Sequence, residues 1–251
     1  MELREWLEWY DKIRAKFGYS IVNDQNAAQI LSKLIRGREV NLNILIDKIK
    51  GKNVVIFGAG PSLEEFDDYN SLRNSTLIAC DGATEALLEH DIKPDIVVTD
   101  LDGDHRSLLE ADRLGSIMVV HAHEDNVNLM LNLVPKFKNC IGTTQVKPLD
   151  NVYNFGGFTD GDRAVFLADT LGAKSIILIG MDFGYKIGRY SKRKFDPNIK
   201  IEKLKMAKEL IEYLANKTNS RIYNLSSSDI KGYKKISIKD LKEIIELSNN
   251  L

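Results

Sequence analysis

The strongest constraint on the fold of this chain is a succession of short, unbroken apolar runs that begins at Lys52. NVVIFG opens the series, followed by TLIAC at 76–80, DIVVT at 95–99, SIMVV at 116–120, NCIGT at 139–143, SIILIG at 175–180 and RIYNL at 221–225. Most are β-branched and bounded by Gly, Asp, Asn or Pro, the composition and punctuation of strands. Unbroken apolar runs, without polar alternation, suit strands covered on both faces. Between them, Thr84–His90, Asn126–Val134 and Asp162–Leu171 carry apolar residues at helical spacing. This alternation predicts an α/β protein with a Rossmann-like, doubly wound sheet in three layers.

The flanks are helical. Trp6, Leu7, Tyr10, Ile13 and Phe17 recur at helical spacing and Ala27–Leu45 continues the pattern, so residues 1–50 read as an N-terminal helical cap of two or three helices. The α/β catalytic domain is expected over 51–230. A basic connection at 185–200 and an amphipathic helix at about Ile201–Thr218 fall near its end, and a C-terminal helical segment covers 231–251. There is no internal repeat, and the five prolines mark no linker. The N-terminus is charged throughout, and no stretch reaches about 18 apolar residues, so the reading is a cytoplasmic protein, neither exported nor membrane-spanning. Cys80 and Cys140 each sit in an apolar run, as buried reduced thiols do. Lys and Arg total 35 against 36 for Asp and Glu, a net charge of −1 that favours neither nucleic acid nor an anionic membrane. Homo-oligomerisation stays open.

In doubly wound sheets ligands bind beyond the carboxyl ends of the strands, and there the chemistry-bearing residues concentrate. VVIFGAGPSLEE places Gly58, Gly60 and Ser62 between a strand and an acidic helical turn, a candidate nucleotide or phosphate contact. It lacks the third glycine of a dinucleotide fingerprint and the GK[ST] of a P-loop. In TDLDGD, Asp100 and Asp102, with Asp104 as a further candidate, follow a buried run at alternate positions, which project the same way from an extended end. Carboxylates so close call for a cation, and hard oxygen ligands suit Mg²⁺; Asp81 of CDGA, on the adjacent strand, completes the set. Asp95 reads as a turn or capping residue. An EF-hand is excluded, because counting from Asp100 gives His105 where Gly is needed and Ala111 where Glu is needed. A haloacid-dehalogenase-like phosphatase with Asp100 as nucleophile remains, although Asp104 stands where that motif has Thr or Val.

HAHEDN holds His121, His123 and Asp125 at alternate positions. It is similar to the HxHxDH signature of binuclear zinc hydrolases, but Asn126 replaces the last His and no His follows His123. These histidines are either hydrogen-bonded at a strand end or serve phosphate contact, proton handling or metal support, with His123 the candidate for catalysis. In NFGGFTDGDRA, Phe155 and Phe158 offer faces for a flat heterocycle, and Thr159, Asp160 and Asp162 offer polar contacts or a helix cap. YKIGRYSKRKF is either a solvated basic loop or a segment that closes over a polyphosphate, with Lys192 and Arg193 as candidate contacts.

Taken in order, GAGPSL, CDGA, KPDIVVTDLDGD, HAHEDN and FGGFTDGDRA resemble the archaeal 6-hydroxymethyl-7,8-dihydropterin pyrophosphokinase family, from about Val54 to Gly184. DGA followed by PD and TDLDG is also similar to motifs of thiamine pyrophosphokinase, whose fold that family is thought to share. The resemblance implies transfer of diphosphate from ATP to the hydroxymethyl oxygen of a reduced pterin, with AMP released, in tetrahydromethanopterin or folate biosynthesis. It implies Mg²⁺ held by Asp100 and Asp102, with Asp81 a third acid. Asp160 and Asp162 match the later acidic motif of the thiamine enzyme, while His121 and His123 rest on the pterin family alone. A non-catalytic Rossmann nucleotide-binding module, resting on GAGPS, is the third reading. The balanced net charge hides an acidic stretch, Asp81–Asp125, that offsets a basic one, Lys186–Lys208.

Overall fold

The computed structural model describes residues 1–184, 186–191 and 196–247. Its centre is a sheet of strands β1 (Asn53–Phe57), β2 (Thr76–Cys80), β3 (Ile96–Thr99), β4 (Ile117–Ala122), β5 (Cys140–Thr144), β6 (Val152–Tyr153), β7 (Ser175–Ile179), β8 (Arg221–Asn224) and β9 (Lys234–Lys235). Their order is β6-β5-β4-β3-β2-β1-β7-β8-β9, and every pairing is parallel. Strands β1, β3, β4, β5 and β7 are buried along their whole length, which is why their sequences do not alternate. The chain moves outward from β1 to β6, then returns to lay β7 on the other side of β1. The carboxyl ends of β1 and β7 therefore flank the topological switch point, where α/β sheets leave a crevice.

Nine helices are assigned among the described residues: α1 (Leu3–Phe17), α2 (Ile21–Ile35), α3 (Leu42–Ile49), α4 (Ala83–Glu89), α5 (His105–Arg113), α6 (Val127–Leu133), α7 (Asp160–Thr170), α8 (Pro197–Ala215) and α9 (Ile238–Leu247). They cover both faces of the sheet, giving the three-layer α/β architecture expected from the sequence. Helix α7 lies across β1, β2, β3 and β7, and α2 lies on β4 and β5. The N-terminal segment is three helices; α1 buries Trp6, Tyr10 and Ile13, and α2 buries Ala27, Ala28, Leu31 and Ile35 in the same continuous core that reaches Ile245 of α9. Cys80 and Cys140 are free and buried. Among the described residues no helix is long and apolar enough to cross a membrane.

Four elements differ from the sequence reading. The two-residue strands β6 and β9 are too short to carry a period. Helix α5 occupies HRSLLEADR, with Asp104 as its N-cap: the Asp104 carboxylate accepts the Ser107 N–H at 2.9 Å. Helix α8 begins at Pro197, before the expected Ile201, because the Asp196 carboxylate caps it and a proline fits the first turn. Asp95 is structural as expected, accepting the Leu77 N–H and pairing with Lys48.

Candidate active site

Loops after β1, β2, β3, β4 and β7, with the start of α7, line one cavity of about 370 Å³. Of the residues singled out in the sequence, it brings together Gly58, Gly60, Asp81, Asp100, Asp102, His123, Phe158, Thr159 and Asp160.

At its centre Asp81, Asp100 and Asp160 each present a carboxylate oxygen, all within 4.8 Å of one another. Asp160 thus stands where Asp102 was expected, while Asp102 lines the cavity outside that group. The reason is local. Leu101 has φ 72, a left-handed turn that breaks the extended alternation on which a shared side for Asp100 and Asp102 depends. Asp81 also has a positive φ, 43. Two non-glycine residues in this region cost about 1–3 kcal/mol each, and the Thr99 hydroxyl helps to hold both: it donates to Asp81 Oδ1 at 2.5 Å and accepts the Leu101 N–H at 2.8 Å. Gly103 closes over the same carboxylate, since a Cβ there would lie 2.4 Å from Asp81 Oδ2. Burial, and then the facing carboxylates of Asp160, Asp102 and Asp100, push Asp81 well above the usual carboxylate range. Burial and Asp100 do the same to Asp160, against the pull of Arg163, whose Nη1 donates to Asp160 Oδ1 at 3.1 Å. The donor set is all hard oxygen, and its mutual repulsion fits it to a small divalent cation such as Mg²⁺.

His123 Nε2 lies 3.5 Å from Asp100 Oδ2. The Asp125 N–H donates to His123 Nδ1 at 3.3 Å, so the neutral ring carries its proton on Nε2, facing Asp100. His121 is directed elsewhere. It is buried, its Nδ1 lies 3.2 Å from Thr143 Oγ1, and it borders a separate small cavity. Burial, then the positive Arg163 and the neighbouring His123 ring, hold it well below the usual histidine value of 6.5. The folded protein therefore resists a proton that the unfolded chain accepts, and stability falls as pH drops below 6.5 by up to about 1.4 kcal/mol per unit. A His121→Gln variant is expected to flatten the dependence of Tm on pH between about 6.5 and 5; an unchanged slope would remove His121 as its source.

Four candidates are placed differently from the sequence reading. Asp162 is fully buried and accepts the N–H groups of Phe158 and Thr159 and the Thr159 hydroxyl, so its carboxylate is consumed in capping α7. Phe155 stacks on Tyr153 and borders the small cavity instead. Ser62 does not face the main cavity; its N–H donates to Asp182 Oδ2 at 2.7 Å, so a carboxylate occupies the donor expected to meet phosphate. Asp104 caps α5. The expected Lys192 and Arg193 contacts lie outside the described residues.

Several lining or supporting residues escaped the sequence reading. The buried Asn126 side chain donates to the carbonyls of Asp100 and His121, at 2.8 and 2.7 Å, and accepts the His123 N–H, tying the β3 and β4 loops together. The residue that disqualified the zinc motif is a brace. Asp182, after β7, joins the Ser62 and Ser227 N–H groups. Lys200 and Lys203, which the sequence reading held only as part of the basic stretch Lys186–Lys208, line the cavity from the first turns of α8. A signal was available for them, since lysines near a helix N-terminus run against the macrodipole.

Fold and site together define a Rossmann-like α/β protein with a carboxylate-centred cavity beside its switch point. The chain belongs to the 6-hydroxymethylpterin diphosphokinase MptE-like family, whose sequence profile matches residues 26–188. It is 47% identical to the 6-hydroxymethyl-7,8-dihydropterin pyrophosphokinase of Pyrococcus furiosus, over 90% of this chain and 100% of that one. Its identity to the protein of the same name from Methanocaldococcus jannaschii is 44%, over 86% of this chain and 97% of that one. Among solved structures, the MAf glycosyltransferase from Magnetospirillum magneticum AMB-1 has a TM-score of 0.58 at 15% identity, over 92% of this chain and 42% of that one. That likeness concerns the fold alone, and this chain spans less than half of the glycosyltransferase.

Proposed function

We propose that this protein transfers diphosphate from ATP to the hydroxymethyl group of 6-hydroxymethyl-7,8-dihydropterin, releasing AMP. The observation that carries the reading is the convergence of Asp81, Asp100 and Asp160 within 4.8 Å in a cavity at the strand ends. Its support is the identity of 43–47% to archaeal proteins of that name. Bound Mg²⁺ would neutralise phosphate charge; Asp81, Asp100 and Asp160 are the residues that would hold it.

The hydroxymethyl oxygen attacks the β-phosphorus, the bond from that phosphorus to the α–β bridging oxygen breaks, and AMP departs with that oxygen. Such transfers proceed through loose transition states, in which positioning and charge neutralisation dominate and little base is needed. His123 accordingly serves as a positioning residue: its Nε2–H faces Asp100 and its Nδ1 is engaged by a backbone amide. The substrate hydroxyl proton passes to solvent. Lys200 and Lys203 supply cations to the polyphosphate from α8. Asp182, repulsive to phosphate, suits hydroxyl or amino donors of the nucleoside at the switch point.

Incubation with ATP, Mg²⁺ and 6-hydroxymethyl-7,8-dihydropterin is expected to yield AMP in step with pterin diphosphate. ADP as the nucleotide product would make the protein an ordinary kinase. Inorganic phosphate with an aspartyl-phosphate on Asp100 would return the phosphatase reading.

A further inference from the structure

Asp24, in α2, is fully buried and lies outside the lining of the main cavity. Its two oxygens meet three donors. Oδ2 accepts the Tyr10 hydroxyl of α1 and, at 2.6 Å, the side-chain Nε2 of Gln145, which follows β5. Oδ1 accepts the Glu124 N–H at 2.8 Å. Burying a carboxylate is costly even when hydrogen bonds compensate it, and packing does not call for one here, since Ala27, Ala28, Leu31 and Ile35 already seat α2 in the core. What the carboxylate adds is direction. Glu124 opens a short 3-10 turn, Glu124–Asn126, and the first N–H groups of such a turn have no partner within it. Asp24 takes the Glu124 N–H, and from the start of the same helix the Ser20 N–H reaches Glu124 Oε2 at 3.4 Å.

The turn held in this way carries the contacts to the carboxylate group. His123 caps it: its Nδ1 accepts the Asp125 N–H at 3.3 Å, and its Nε2 lies 3.5 Å from Asp100 Oδ2. Asn126 closes it, accepting the His123 N–H at 3.1 Å and donating to the Asp100 carbonyl at 2.8 Å. The Asn126 N–H returns to the His123 carbonyl at 3.2 Å. Each link from Asp24 through Glu124 and Asn126 to Asp100 is thus a hydrogen bond or a few residues of covalent backbone. Asp100 needs such ties, because the left-handed Leu101 follows it and strained backbone persists only where its surroundings hold it.

We infer that Asp24 is a positioning residue for Asp100: by fixing the Glu124–Asn126 turn it sets, through Asn126 and His123, where the Asp100 carboxylate meets those of Asp81 and Asp160. The N-terminal helical segment thereby tunes cation affinity from outside the cavity. The inference rests on the metal-holding role proposed above for Asp100.

The test is the binding of Mn²⁺, a cation suited to the same oxygen donors, measured without nucleotide from the EPR signal of the free ion. Asp24→Asn keeps the shape of the side chain. Its one oxygen retains two of the three bonds only by staying toward Tyr10 and Gln145, which turns the NH₂ group against the Glu124 N–H. Asp24→Asn is expected to weaken Mn²⁺ binding about fivefold and Asn126→Ala about tenfold. The double variant is expected to lose about tenfold, because one route carries both effects; a loss near fiftyfold, about the product of the two, overturns the route. Tyr10→Phe is the control, since it takes a donor from Asp24 Oδ2 and leaves the Glu124 N–H in place. It is expected to lower Tm and to change Mn²⁺ affinity by less than twofold. If Asp24→Asn likewise loses Tm and keeps its affinity, Asp24 is a structural group only and the inference falls. If Asp24→Asn does not fold, unchanged affinity in Asn126→Ala still overturns the route. A wild type that binds Mn²⁺ and makes no AMP, with the variants weakened as expected, overturns the transfer reaction and leaves the inference standing. A wild type that binds no Mn²⁺ overturns the metal-holding role and the inference together.

Discussion

Asp81→Asn is expected to reduce AMP formation by about 10³-fold or more at saturating Mg²⁺, and yet to melt a few degrees above the wild type when no metal is present. The two effects share a cause. Asp81 faces Asp100 and Asp160 at no more than 4.8 Å, and no cation is among the groups that shift it. Each ionised pair at that separation costs about 3 kcal/mol at an effective dielectric near 20, and burial with this repulsion is what pushes Asp81 and Asp160 above the usual carboxylate range. Removing one charge removes part of that cost, while the remaining Oδ1 can still accept the Thr99 hydroxyl. One relieved kcal/mol raises Tm by about 2–4 °C in a domain of this size. Catalysis moves the other way, because losing one of the three oxygens proposed to hold the metal would forfeit about 4 kcal/mol or more of charge neutralisation. Mg²⁺ should raise the Tm of the wild type and leave that of Asp81→Asn nearly unchanged. A variant with near-normal AMP formation would end the assignment of Asp81, and one that melts lower without metal would end the account of repulsion. Asp100→Asn is expected to lose activity to a similar degree.

The fold was legible because its dominant signal is long in aggregate: seven apolar runs, five of them strands buried along their whole length, leave few architectures open. Elements of two residues, such as β6, carry no such signal. Helix α5 was obscured for a different reason, since Asp104 reads equally well as a metal-loop acid and as an N-cap, and only the Ser107 contact separates the two.

The site was legible as a set of strand ends and much less so as a set of partners. Which acids converge depends on backbone angles that composition does not reveal: Leu101 turns left-handed and takes Asp102 out of the group, and α7 brings Asp160 in from a segment 60 residues later. Asp162, two residues on, is spent on the Phe158 and Thr159 amides. Long-range pairs were beyond reach altogether. Nothing near Gln145 in the sequence announces Asp24, 121 residues earlier, and nothing in GAGPS announces that Asp182 meets the Ser62 amide.

Gly180→Ala is expected to be strongly destabilising. Gly180 follows β7 with φ +68, and a Cβ there would lie 2.3 Å from the Gly58 carbonyl oxygen and 2.8 Å from Leu63 Cβ. The left-handed conformation alone costs alanine about 1–2 kcal/mol relative to glycine. The larger part is the collision, since its partner is backbone at the end of β1, fixed by the Gly58 N–H to the Ile179 carbonyl at 2.9 Å and the Gly60 N–H to the Gly180 carbonyl at 2.8 Å. No rotamer change relieves it, so one strand end must shift, for a total of about 3 kcal/mol or more and a fall in Tm of roughly 10 °C. Gly51→Ala is the control: its φ is +71, and open space surrounds the added methyl, so it bears the backbone penalty without the collision. Thermal melts of the two variants therefore separate conformation from contact. If Gly180→Ala melts together with Gly51→Ala, the close approach of the segments after β1 and β7 yields readily. If it melts well below, the switch point is held by main-chain contact that only a hydrogen at position 180 permits, and the floor of the cavity between Gly58 and Asp182 is a rigid part of the fold.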